Sequence, residues 1–240
     1  MNADNQFFNE QWQLYQKVLN NNYMGHKEIY SILHDFLINH LQTPFSLLDL
    51  GCGDASFTTK SLFNTSISAY KGIDLSAAAL EIAQRNLEAI PCKKTFIQDD
   101  ISTAINQLVN QKDDKFDVVM TSFALHHLSL EEKESVISQI SHLLESNGIL
   151  IIVDVIRLAE EERENFIKRY LNHVRKDWYL ISSQEYSMIE NHISTCDFPE
   201  TQNTLSEITR KHNFPKFECL YQDDFVTTQV LCFYKTGLSS

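Results

Sequence analysis

Leu47-Leu48-Asp49-Leu50-Gly51-Cys52-Gly53 is the stretch that decides how this chain folds. Four residues with strand-like character end in two glycines one residue apart, and Asp54 to Phe63 can then run as a helix. A buried strand that turns through Gly-x-Gly into a helix is a cradle for a nucleotide cofactor. Glycine takes backbone angles closed to other residues and lets a ligand approach the main chain. The chain has only 6 glycines in 240 residues, well below the usual share of about 7%, so two this close together after a strand carry weight.

The residues around the loop argue against phosphate. A dinucleotide fingerprint needs a third glycine three positions after the second, for close helix–strand packing, and that position is Ser56. No Gly-Lys-Ser/Thr run exists. Asp49 stands two residues before the first glycine, where a carboxylate repels a pyrophosphate and suits a positively charged ligand. These departures set aside a nicotinamide-dependent oxidoreductase. About 20 residues further on, at the expected end of the next parallel strand, Asp74 closes Lys71-Gly72-Ile73-Asp74. A carboxylate there accepts both hydroxyls of a ribose. Together the two acids suit a nucleoside with a free diol and a cationic tail.

Leu48-Asp49-Leu50-Gly51-Cys52-Gly53 followed by Gly72-Ile73-Asp74-Leu75-Ser76 resembles the class I S-adenosylmethionine-dependent methyltransferases. Phe96-Ile97-Gln98-Asp99-Asp100 is similar to the third-strand tip of that family, whose acidic residue faces the adenine amine. Asp99 stands where a glycine is common, so the choice between Asp99 and Asp100 stays open. Phe116 to Thr121 resembles the fourth strand, Phe123 to Leu128 the segment beside the transferred methyl, and Leu144 to Val155 the turn into strand five, with Ser146-Asn147-Gly148 in place of the frequent Pro-Gly-Gly. The resemblance covers roughly residues 44–155 and implies S-adenosyl-L-methionine as cofactor, with S-adenosyl-L-homocysteine as product. It implies a cofactor set of Asp49, Gly51, Cys52, Gly53, Asp74, Leu75, Asp99, Asp100, Ile101 and Thr121, with Tyr15 as a lid contact.

Working outward from residue 47, strand and helix patterns alternate, with strands expected near 47–50, 70–74, 94–98, 116–121 and 148–155. Alternation of this kind gives a parallel sheet with helices on both faces, and ligands bind outside the carboxyl ends of its strands. Asp49, Asp74, Asp99, Asp100 and Thr121 all fall at such ends. Phe217–Tyr221 and Val226–Tyr234 alternate as two further strands around Gln222-Asp223-Asp224, an antiparallel hairpin at the sheet edge. The expected fold is therefore α/β: a Rossmann-like, doubly wound, seven-stranded sheet, mostly parallel, with an antiparallel C-terminal hairpin. A single methyltransferase domain spans 1–240. It comprises an N-terminal helical cap (1–45), a cofactor-binding core (46–156), a helical insertion or lid (157–200) and a closing helix and strands (201–240). In the cap, Phe8, Trp12, Tyr15 and Leu19 recur at helical spacing, as do Ile29, Leu33, Phe36 and Leu37. Between them Asn20 to His26 forms a break. Ser76, Ser129 with Glu132, Ser182 with Glu185, and Thr204 with Glu207 mark helix starts.

The net charge of −12 argues against a nucleic-acid partner, whose affinity comes largely from Lys and Arg on phosphates. Five scattered cysteines without a Cys-x-x-Cys pair indicate neither a disulfide framework nor a zinc site. With a polar start and no long apolar run, they point to a cytoplasmic setting with no membrane partner. The oligomeric state is not legible. The leading function is methyl transfer to a small-molecule acceptor by in-line displacement. The alternative is a non-catalytic sensor or scaffold that binds the same nucleoside. His126 and His127 are the candidate bases. As adjacent residues without a nearby carboxylate ligand they make poor metal geometry, and no metal is expected. Tyr23, His26, Phe123, Trp178 and Tyr179 are the candidate acceptor-binding residues.

Overall fold

The computed structural model describes residues 13–111 and 115–236. A helical stretch at 13–20, α1, comes first. It is followed by α2 (His26–His40), β1 (Phe45–Leu50), α3 (Ser56–Leu62), β2 (Ile67–Asp74), α4 (Ala77–Asn86), β3 (Lys93–Gln98), α5 (Ile101–Gln111) and β4 (Phe116–Ser122). A 3-10 turn (Leu125–His127), α6 (Leu130–Leu143), β5 (Leu144–Arg157), α7 (Arg163–Asp177), α8 (Ser183–Cys196) and β6 (Glu200–Thr201) come next. The chain closes with α9 (Gln202–Lys211), β7 (Lys216–Gln222) and β8 (Thr228–Tyr234).

The sheet runs β3-β2-β1-β4-β5-β8-β7. β8 is antiparallel to both β5 and β7, and the β1–β2, β2–β3, β1–β4 and β4–β5 pairs are parallel. Strand order therefore reverses between β1 and β4, the point where an open α/β sheet leaves a crevice for a ligand. An eighth strand, the two-residue β6 on β5, lies off this path. The sequence does not announce it, because two residues carry no periodicity.

Side-chain alternation sorts the core into two faces. Leu47, Val118, Met120, Ile149, Ile151 and Val153 pack with Leu33, Leu37, Leu62, Leu80 and Ala83 from α2, α3 and α4. Leu48, Leu50, Val119, Leu150 and Ile152 pack with Ala104, Ile105, Leu108, Val136, Ile140, Leu205 and Ile208 from α5, α6 and α9. A third cluster joins Val18 of α1 to Phe166, Tyr170, Val174, Trp178 and Ile193 of the insertion, over Val155. The helical cap therefore divides. α2 belongs to the sheet, whereas α1 packs with α7 and α8, and Lys17 pairs with Glu185 at 2.8 Å.

Three expected helix starts stand: Ser76 accepts from Ala79 N, and Ser129/Glu132 and Ser182/Glu185 form capping boxes. The fourth is displaced. Thr201, not Thr204, caps α9, accepting from Thr204 N. A Thr-x-x-Thr start leaves no acidic signature to read. Phe8 and Trp12 lie outside the described residues. The β7–β8 connection is longer than Gln222-Asp223-Asp224, because Asp223 folds residues 223–227 into a loop by accepting from Thr227 N and Thr228 N at 2.6 and 2.7 Å. Among the described residues no helix is long and apolar enough to cross a membrane.

Candidate cofactor and acceptor site

The loop after β1 is pinned to the end of β2. Gly51 N and Cys52 N donate to Ile73 O at 2.8 and 3.0 Å, and Gly53 N donates to Asp74 Oδ2 at 2.8 Å. Gly51 has φ of +72°, and a Cβ there would lie 2.7 Å from Ala124 Cβ, so the first glycine is fixed by packing as well as by backbone angle. Gly53 has φ of +53°, yet a Cβ there would meet, among the described residues, only Tyr15 OH at 3.7 Å. The second glycine thus faces open space and presents bare backbone to it.

That space is a cavity of about 430 Å³ at the carboxyl ends of β1 to β4. Asp49, Asp54, Asp74, Asp99 and Asp100 all line it, and no Lys or Arg does among the described residues. Asp49 is buried on the Leu47 face of β1. Its Oδ2 accepts from Thr58 Oγ1 at 3.1 Å and Tyr70 OH at 2.9 Å, while its Oδ1 is buried with no hydrogen-bond partner. Burial pushes its pKa up to about 7, although the Tyr70 and Thr58 hydrogen bonds pull the other way. A half-neutralised acid with an orphaned oxygen in a cavity wall fits a cation. Asp74 also accepts from Ser76 N at 2.8 Å, which orients its carboxylate while leaving lone pairs for a diol. Asp100 Oδ1 accepts from Thr103 N at the start of α5, and Asp99 accepts from Asp100 N and Gln107 Nε2. Leu75, 70% exposed, lines the same cavity together with Ile101.

On the β4 side the wall is aromatic. His26 lies 4.8 Å from Phe123 and 5.1 Å from Phe57, ring centre to ring centre. Tyr30, 5.5 Å from Phe57, donates to Ser122 Oγ. Phe123 has φ of +50°, an outlying conformation for a bulky residue that recurs where function constrains the backbone. His26 is buried with Nδ1 unpartnered. Burial lowers its pKa to about 4 against the opposing charges of Asp54 and Glu28, so its ring is neutral at pH 7.

The structure brings together Asp49, Gly51, Cys52, Gly53, Asp74, Leu75, Asp99, Asp100, Ile101, Tyr15, His26, Phe123 and His127. Five expected residues need correction. Thr121 is buried away from the cavity and Ser122 lines it instead. Thr121 falls on the Val119 face of β4, and only the next residue shares the face of Asp49. Tyr23 stacks on Trp178 at 5.0 Å and its OH accepts from Leu180 N, outside the cavity. Trp178 is itself core, and Tyr179 is 83% exposed. His126 is no pocket base. It is buried, with its backbone N on Asp154 Oδ2 at 2.9 Å and its Nδ1 hydrogen-bonded to Asp154 Oδ1. Tyr30, Phe57, Thr58 and Asp54 were missed, although the β1–α3 loop places the last three within five residues of Gly53.

A family profile described as "Methyltransferase domain" matches residues 47–148. An uncharacterized methyltransferase of Staphylococcus carnosus is 35% identical over 83 residues, 33% of this chain and 39% of that relative. A carboxy-S-adenosyl-L-methionine synthase of Shewanella baltica is 23% identical over 92% of this chain and 89% of its own length. Among solved structures, the plantazolicin methyltransferase BamL with SAH superposes with a TM-score of 0.67 at 14% identity, covering 95% of this chain and 91% of that one. The magnesium protoporphyrin IX methyltransferase of Synechocystis with SAH gives 0.62 at 16% identity, covering 96% and 95%.

Proposed function

We propose, for a chain that belongs to the class I S-adenosylmethionine-dependent methyltransferase superfamily and takes S-adenosyl-L-methionine as cofactor, that it methylates a small, uncharged or cationic acceptor lying against the His26–Phe57–Phe123 wall. The observation that carries this reading is the composition of the cavity. Among the described residues five aspartates and no Lys or Arg line it. That set favours a sulfonium and an ammonium and disfavours phosphates, nucleic acid and acidic acceptors.

The bound cofactor supplies an electrophilic methyl for in-line displacement. Asp49, through its free Oδ1, would hold the cationic amino-acid tail, with the Gly51–Gly53 backbone beside it. Asp74 would accept the ribose hydroxyls. Asp99 and Asp100 would address the base edge, while Leu75 and Ile101 cover its faces. Leu75, 70% exposed, would be covered by a planar ring. The aromatic wall excludes water, the competing nucleophile, and confines the acceptor. Proximity of that kind is worth roughly 7–11 kcal/mol. His26, neutral and with Nδ1 unpartnered, would accept a hydrogen bond from the acceptor's O–H or N–H and so orient its lone pair.

The carboxy-S-adenosyl-L-methionine synthases among the relatives raise a second reading, a reaction that leaves a carboxylate on the cofactor. A new carboxylate needs a cation beside it, and none of the described lining residues supplies one. Incubation with methyl-labelled cofactor and pooled small metabolites, followed by mass analysis, separates the two. Label in a new neutral or basic product with stoichiometric S-adenosylhomocysteine supports methyl transfer. A carboxylated cofactor, or an acidic product alone, overturns it.

A further inference from the structure

Beside the cavity, outside the cofactor set, three imidazoles crowd one carboxylate. Asp197, just after α8, is buried, and its Oδ1 has no hydrogen-bond partner. His127 Nδ1 lies 3.4 Å from that oxygen, His192 Nε2 3.6 Å and His126 Nε2 3.7 Å. The donor atoms of His126, His127 and Asp197 all fall within 4.8 Å of one another. These separations exceed an N–H···O hydrogen bond of about 2.7–3.2 Å. They are the spacing of ligands that share an ion. Metal bonds of about 2.0–2.2 Å in a tetrahedron set donors roughly 3.4 Å apart.

The surroundings are those of a ligand set. His126 Nδ1 hydrogen-bonds Asp154 Oδ1, which orients the ring and turns Nε2 toward Asp197. Such a carboxylate–histidine pairing orients and strengthens metal-bound imidazoles. Phe198 N donates to His126 O at 2.7 Å, and Arg163 holds Asp197 O and Ser194 O at 2.7 Å each. The backbone therefore locks the end of α8 against the 3-10 turn independently of the four side chains. His126 and His127 are adjacent, yet their ring centres are only 4.0 Å apart, because the tight turn carries both to one side.

We propose that His126, His127 and Asp197, with His192 as fourth ligand, form a binding site for a divalent late first-row cation, zinc by donor type. The site joins the lid helix α8 to the turn that lines the cofactor cavity. Its ligands come from two segments that the family profile match, residues 47–148, only half contains. It stands apart from the proposed function, since it needs neither cofactor nor acceptor.

The test is direct. The full chain, stripped with a chelator, is titrated with zinc against a chromophoric competitor and with cobalt(II) followed by its visible absorption. The expected result is one equivalent per chain, with strong cobalt bands of four-coordinate geometry and a rise in thermal midpoint with zinc. His127→Ala and Asp197→Asn should each weaken zinc binding at least about tenfold. The His127 side chain is 40% exposed, so its variant decides the question even where Asp197→Asn folds poorly. Absence of stoichiometric zinc binding, or parental affinity in His127→Ala, overturns the site. It would leave the cluster as a histidine clamp on Asp197, with His127 Nδ1 resting on Cys196 O at 3.3 Å.

Discussion

Binding of S-adenosylhomocysteine should release a proton, and Asp49 should be its source. The carboxyl is buried, and its pKa stands near 7 because burial outweighs the hydrogen bonds from Tyr70 and Thr58. The ligand ammonium favours the ionised form, so binding pulls that pKa down. Linkage then sets the sign. At pH 8 the acid is already about 90% ionised and only about a tenth of a proton is released. At pH 7 about half a proton leaves per ligand, and at pH 6 about 0.9. Each unit below 7 is worth 1.36 kcal/mol at most, so affinity should fall about twofold from pH 8 to 7, about fivefold from pH 7 to 6, and close to tenfold per unit below 6. Titration calorimetry in two buffers of different ionisation heat reads both the affinity and the protons. Asp49→Asn should bind weakly at every pH, with no slope in this window. Two results refute the reasoning: a flat profile with no proton release in the parent chain, or an unchanged slope in Asp49→Asn.

Asp74→Ala removes the acceptor that holds Gly53 N and Ser76 N as well as the proposed ribose contact. Affinity for S-adenosylhomocysteine should drop at least about a hundredfold by calorimetry, since two charge-assisted hydrogen bonds are worth roughly 1.5–3 kcal/mol each. Gly51→Ala puts a methyl 2.7 Å from Ala124 Cβ at a φ of +72°. Cofactor affinity should collapse and chemical denaturation should show a loss of about 1–3 kcal/mol. His26→Phe keeps the aromatic packing and removes the orphaned nitrogen. Affinity for S-adenosylhomocysteine should stay within about twofold while turnover of the identified acceptor falls about tenfold or more. Ser182→Ala breaks the capping box at the start of α8 and should lower the thermal midpoint by about 2–4 °C without moving cofactor affinity.

The parallel sheet was legible because both of its faces are covered. Leu47 and Leu48, or Val118 and Val119, are all apolar yet point to opposite clusters, and such doubly buried strands read as short apolar runs between turn signals. The acids at the strand tips were legible for the same reason: a charged residue ending an apolar run has only the crevice to face. Thr121 shows where this fails. In a strand buried on both faces, hydrophobicity no longer marks the side, so strand-end position alone cannot distinguish Thr121 from Ser122. The register against β1 can: Asp49 sits beside Met120, and it is therefore the residue two beyond Met120 that shares its face.

Tyr23 and Trp178 misled for a related reason. An aromatic in a helical segment beside a pocket has two apolar destinations, the pocket or the neighbouring helix, and sequence pattern does not choose between them. Here the turn after α1 and the end of α7 stack those rings on each other, which leaves the pocket wall to α2, Phe57 and the strained Phe123. The histidines are the converse case. His126 and His127 lacked a local carboxylate, and local spacing was the only ground on which sequence could judge them. Asp154 comes from the next strand and Asp197 from beyond α7 and α8. The Asp154 carboxylate accepts from His126 N, and the neighbour of Asp197, Phe198, donates its backbone N to His126 O. A ligand set assembled from two segments about 65 residues apart, and buttressed by Asp154 from a third, leaves no spacing to read.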